Sequence, residues 1–219
     1  MIALIRYTFA TVLHTQRYVA PLLLFMGLLG VLTVNGSGSL PPAYASSAGA
    51  LFVCSTWLTV ALMSLDEPAQ RAIVVVASGG RSLKVLLAAI GTALLSCLVL
   101  MVFGLLFPLW MGRYHVTMGD LLLGVEAQFT TALVGIGIGV LCSRLVFRRQ
   151  GYAVVSAVAL VMAALFAKGM SPVNRLFTLM STTSQATKLL VPAGAMLAIA
   201  AVILVACTAV TQFVATRRE

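Results

Sequence analysis

Six long apolar runs, at residues 18–34, 45–65, 85–110, 121–142, 152–167 and 191–214, limit what this chain can fold into more than any other feature. The runs are continuous rather than alternating, which is the pattern of helices in lipid and not of barrel strands. Inside a bilayer every backbone N–H and C=O must find a partner within the protein, so only helices and closed barrels cross it. A crossing helix needs about 20 apolar residues, roughly 17 to 25 being usual; five runs meet this and 152–167 is short. Charged residues are only 9% of the 219, against about a quarter in water-soluble domains. The expected fold class is an all-α membrane protein with six transmembrane helices. The spans use up most of the chain, which predicts one domain over residues 1–219.

Positive charge sets the expected orientation, because Lys and Arg collect on the cytosolic side. One set of connections holds Arg6, Arg17, Arg71, Arg81, Lys84, Arg144, Arg148, Arg149, Arg217 and Arg218. The opposite set holds only Arg113, Lys168, Arg175 and Lys188. Both termini are therefore expected in the cytosol, in a multi-pass protein of the plasma membrane. The net charge of +9 then reads as a topology signal and an attraction to anionic lipid head groups. The basic residues are scattered through short loops, so nucleic acid is not an expected partner. No small-residue cleavage pattern follows the first run, and Asn35-Gly36-Ser37-Gly38 reads as a turn, so that run is expected to be a span and not a signal peptide.

The connections carry the remaining organisation. Residues 1–17 place Arg6, His14 and Arg17 within about a quarter turn at 100° per residue, which suits a helix at the membrane interface or a simple extension of the first span. The loop at 35–44, NGSGSLPPAY, reads as a tight uncharged turn. Residues 66–84, DEPAQRAIVVVASGGRSLK, are the most structured polar piece. Asp66 and Glu67 suit a helix N-terminus, Pro68 its first turn, and Gly79-Gly80 its left-handed stop. A short cytosolic helix over 66–80 follows. At 168–190, Ser171-Pro172 can open a helix, and Val173, Leu176, Phe177 and Met180 recur at helical spacing. This segment is either an outer piece dipping into the leaflet or an ordinary surface loop. The fourth run holds Gly135, Gly137 and Gly139, a small-residue track that favours close packing within the chain over a dimer contact.

Little in the sequence points to covalent chemistry. No phosphate-binding glycine loop, HExxH, GxSxG or acidic metal cluster occurs, so no catalytic residue, metal or cofactor is expected on this chain. Cys54, Cys97, Cys142 and Cys207 lie inside or at the ends of runs without ligand spacing and read as small apolar packing residues. Glu126 is the one carboxylate expected inside the hydrocarbon, either in a structural pair with Arg113 or in contact with substrate.

The basic N-terminal segment, six spans with both ends cytosolic, and the helix-like connection after the second span together resemble the permease subunits of ABC-2 type exporters. The string LTVALMSLDEPAQRAIVVVASGGRSLKVLL at 58–87 is similar to the coupling region of short members of that family. The resemblance implies a cytosolic ATPase subunit, carrying ATP and Mg, docked on Asp66, Glu67, Gln70 and Arg71, with a second permease copy alongside. It also implies that 168–190 is an outer re-entrant segment closing the pathway. No large extracellular insertion is present, so no outer substrate-capturing domain is expected. A hydrophobic or amphipathic cargo such as a lipid, peptide antibiotic or drug fits the apolar interior. Glu126, Met162, Phe166 and Phe177 are candidates for an outer gate or path, with Met63, Met101, Phe103, Phe107 and Phe129 as further apolar lining. The rival expectation is a secondary transporter or channel working without an ATPase; such proteins keep ionisable residues at the membrane midplane.

Overall fold

A computed structural model describes residues 2–16, 18–33, 37–64, 73–76, 82–114, 116–143, 146, 150–167, 169, 171–182 and 186–217. The described chain is helical: α1 Ile2–Thr15, α2 Val19–Thr33, α3 Leu40–Met63, α4 Ser82–Met111, α5 Met118–Leu141, α6 Gln150–Phe166, α7 Pro172–Thr182 and α8 Ala186–Thr216. The one exception is a two-residue parallel bridge pairing Ser37 with Arg113 and Gly38 with Tyr114. It ties the α2–α3 and α4–α5 connections together at one end of the bundle.

Four helices, α3, α4, α5 and α8, are long and apolar enough to cross a membrane. The other two expected crossings are shorter. Helix α2 has 15 residues and α6 has 17, about 22 and 26 Å of rise against a hydrocarbon core of roughly 30 Å. The reason for the short α2 is local: Gln16 takes a left-handed backbone with φ 52°, and by Ser37 the chain is already paired with Arg113. The loop expected at 35–44 is partly helix, since α3 opens at Leu40 with prolines in its first turn. Proline fits there because its missing N–H would be unpaired anyway. Helix α5 opens on a capping box, in which the Thr117 side chain accepts from the Asp120 N–H while the Asp120 carboxylate accepts from the Thr117 N–H.

Helix α5 is the centre of the fold and packs most extensively on α3 and α8. Two of its glycines face α3. A Cβ on Gly135 would sit 2.1 Å from Ser55 Oγ and 2.9 Å from the Phe52 carbonyl oxygen, and one on Gly139 would sit 2.5 Å from Thr59 Cβ. No side chain fits in that gap, so the backbones touch almost directly. Gly137, on the other side, looks onto Cys207 Sγ of α8. The glycine track thus serves packing within one chain. The pairings Ser47–Gln128, Ser55–Gly135 and Thr59–Gly139 show α3 running in the same direction as α5. Gly194 beside Glu126 and Cys207 beside Gly137 show the same for α8.

Three buried clusters hold the bundle together. One joins α2, α3, α4 and α5 around Phe25, Leu51, Leu86 and Ile136. Another, at the bridge end, gathers Leu40, Tyr44, Leu123, Leu176 and Met180, and the third joins Phe52, Val134, Val161 and Val173. Helix α1 lies against α4, with Val12 buried while Arg6 and His14 are exposed.

Candidate functional site

The half of the bundle nearer the bridge holds a buried polar cluster that joins two helices. Tyr44, Ser47 and Gln128 are all fully buried. Gln128 Nε2 donates to Ser47 Oγ at 2.9 Å, joining α5 to α3. Its Oε1 and the Tyr44 hydroxyl have no hydrogen-bond partner. Bare backbone makes room for both large side chains: a Cβ on Gly104 of α4 would lie 2.7 Å from Gln128 Nε2, and one on Gly124 the same distance from the Tyr44 ring. Lower in α3, Ser55, Thr56 and Thr59 bond the carbonyls of their own helix, so they face α5 as satisfied groups.

Glu126 lies on α5 near this cluster and faces α8, where Gly194 leaves space beside its Oε1. It is partly buried, and its Oε2 is shielded from solvent without a hydrogen-bond partner. The Arg113 side chain, its expected ion-pair partner, lies outside the described residues.

Helix α7 occupies the same end and is built into the bundle. It packs on α3, α5, α6 and α8. Pro172, Val173, Leu176 and Met180 are buried, while Arg175 and Thr178 are exposed. The Phe177 ring lies 3.7 Å from where a Cβ on Gly49 would sit, about 13 Å of helix rise below Leu40. Val173 belongs to the cluster around Phe52, whereas Met180 belongs to the one around Tyr44. The first turn of α7 is therefore deeper than its last. Helix α6 ends at Phe166 and α7 begins at Pro172, and between them Gly169 has φ 75°. The Asn174 side-chain amide donates back to the Leu165 carbonyl, satisfying one of the acceptors that a helix C-terminus leaves open.

The expected path residues sit on three helices, and Phe177 packs on the same cluster as Val161 and Leu165 of α6. Phe177 packs on α3 and Glu126 faces α8, while Met162 and Phe166 on α6 are 46% and 72% exposed. Of the further residues, Met63 and Met101 are buried, Phe107 and Phe129 are partly buried, and Phe103 is exposed. Asp66, Glu67, Gln70 and Arg71 lie outside the described residues, as does Lys168. Within the same connection, residues 73–76 form a helical turn on which Ile73 and Val76 are 69% and 76% exposed. No family model, curated protein or solved structure matches this chain. Among the described residues, no three His, Cys, Asp or Glu side chains gather as metal ligands would.

Tyr44, Ser47 and Gln128 were not singled out from the sequence. Gln128 carried the available signal, since an amide two residues from Glu126 in an apolar run is costly unless paired.

Proposed function

We propose that this chain is the membrane-embedded permease subunit of an ATP-driven exporter of the ABC-2 type, moving a hydrophobic or amphipathic substrate across the plasma membrane. In this reading the bundle crosses the bilayer six times, with α2 and the α6–α7 pair as the shorter crossings, and both termini are cytosolic. A cytosolic ATPase subunit and a second permease copy complete the machine. The observation that carries the reading is the connection between α3 and α4. It resembles a coupling region, and its helical turn turns Ile73 and Val76 outward where a polar connection to water has no use for them.

ATP binding closes two motor subunits, and the connections act as levers on the spans they join, switching the pathway between inner and outer access. The work comes from the motor's nucleotide cycle. This chain has only to contact the motor differently in its two states. The α6–α7 break at the far end supports the outer closure, because irregular backbone survives at membrane depth only when packed on protein or lining water.

The test is purification from the native host followed by reconstitution. A nucleotide-binding subunit should come along, and transport should require ATP. Glu67→Lys and Ile73→Pro should each cut ATP-driven transport by about tenfold or more, a typical coupling energy, while membrane insertion stays normal. Full ATPase stimulation and export by both variants would refute the assignment. The shielded Glu126 carboxylate favours one second reading, a secondary transporter. Transport by the chain alone on an ion gradient, abolished in Glu126→Gln, would establish it instead.

A further inference from the structure

Helix α7 carries an exposed polar stripe deep in the bundle. Val173, in its first turn, shares a buried cluster with Phe52, and the Phe177 ring packs beside Gly49. Arg175 lies between those two levels, about 13–18 Å along α3 from Leu40. With α3 centred on a hydrocarbon core of roughly 30 Å, that level is well inside the membrane. Yet Arg175 is exposed, and its side chain makes no ion pair or hydrogen bond among the described residues. The two described carboxylates are turned elsewhere: Asp120 closes the α5 cap and Glu126 faces α8. Side chains lean toward the N-terminus of their helix, which in α7 is the deep end. On the same face, Thr178 and Thr182 follow, both exposed. Their hydroxyls donate to the carbonyls of Asn174 and Thr178 and keep oxygen lone pairs open.

An unpaired guanidinium facing lipid at such a depth is costly, and charged residues there turn toward water or a partner. We infer that Arg175 forms the floor of a water-filled vestibule open to the bridge end, and that it binds an oxyanion there, the phosphate or carboxylate of an amphipathic molecule. The planar guanidinium offers paired N–H donors that match either group. The threonine stripe gives that group a hydrated route along α7. Charge complementarity selects an anion over a second copy of this chain, which has no exposed carboxylate among its described residues to offer. That the molecule is cargo rests on the export reading; the site itself stands without it.

The test is labelling of single added cysteines in the full chain, held in phosphatidylcholine liposomes, with a neutral membrane-impermeant maleimide. Thr178→Cys should label, whereas Val202→Cys, 67% exposed at the middle of α8, should stay unlabelled because lipid covers it. Dodecyl phosphate or dodecanoate should protect Thr178→Cys, and dodecyltrimethylammonium, with the same chain, should not. The anion that protects better names the head group. Adding Arg175→Gln should weaken protection by about tenfold, the loss of one charge-assisted hydrogen bond, and Arg175→Lys, which keeps the charge, should restore part of it. If Arg175→Gln lowers the thermal midpoint, Arg175→Lys and the anion-over-cation preference decide. Labelling of Thr178→Cys no faster than Val202→Cys would overturn the vestibule. Equal protection by the cationic amphiphile, or undiminished protection in Arg175→Gln, would overturn the anion site. No step here uses ATP, so failure of ATP-driven export would remove the cargo role and leave the site in place.

Discussion

Single residues in this bundle are tolerant or intolerant according to whether backbone faces backbone. Gly139→Ala puts a methyl 3.0 Å from the Thr56 carbonyl oxygen and closer still to Thr59. Because α3 cannot yield without moving its whole backbone, the substitution should cost about 1–3 kcal/mol, as overpacking does. Gly27→Ala meets nothing within 4 Å and should be neutral or stabilising by up to about 1 kcal/mol through helix propensity. Denaturation of the two variants in mixed detergent micelles checks the contrast. The Gln128–Ser47 bond allows a sharper test. Ser47→Ala strands the buried Gln128 amide and should cost about 1–3 kcal/mol. Adding Gln128→Leu removes the stranded group, so the double variant should be more stable than Ser47→Ala alone. A less stable double variant would mean that Gln128 has another partner.

At the level of elements, sequence periodicity located most helices but misplaced their ends. The amphipathic spacing of Val173, Leu176, Phe177 and Met180 was enough to find α7, because only one of its faces is buried. Prolines at 41 and 42 read as loop, yet they open α3, since proline is punctuation in a helix interior and acceptable in its first turn. The capping box at Thr117 and Asp120 is legible in sequence, a hydroxyl residue three positions before a carboxylate at the start of an apolar run. Pairings between distant helices were not legible, since nothing local joins Ser47 to a partner 81 residues away or tells which glycine meets which helix. The α6–α7 junction yields a prediction at this scale. Asn174→Leu keeps much of the side-chain volume but releases the Leu165 carbonyl, so amide exchange within α7 should speed up by about fivefold or more, the equivalent of one lost hydrogen bond. Exchange unchanged across α7 would show that packing alone holds the junction.

For the whole molecule, hydropathy made the membrane character plain, and four helices of spanning length bear it out. The proposed orientation rests on charge asymmetry and can be read directly. All four native cysteines are buried, so new ones report with low background. A membrane-impermeant maleimide should label Ser39→Cys on intact cells and Ile73→Cys only after permeabilisation. The reverse pattern would invert the topology and overturn the proposed function.

The three glycines of α5 settle where this architecture can vary. Because α3 presses on Gly135 and Gly139 while α8 presses near Gly137 on the far side, the spacing between those two neighbours is fixed by a bare peptide cylinder. A methyl on Gly135 or Gly139 would push α3 away, whereas one on Gly137 would only come within 3.4 Å of Cys207 Sγ, so the tight side of the cylinder is the one facing α3. Added bulk is instead accommodated at the rim, where Gly27 and Gly30 have nothing within 4 Å, and the middle of the bundle serves as a fixed axle.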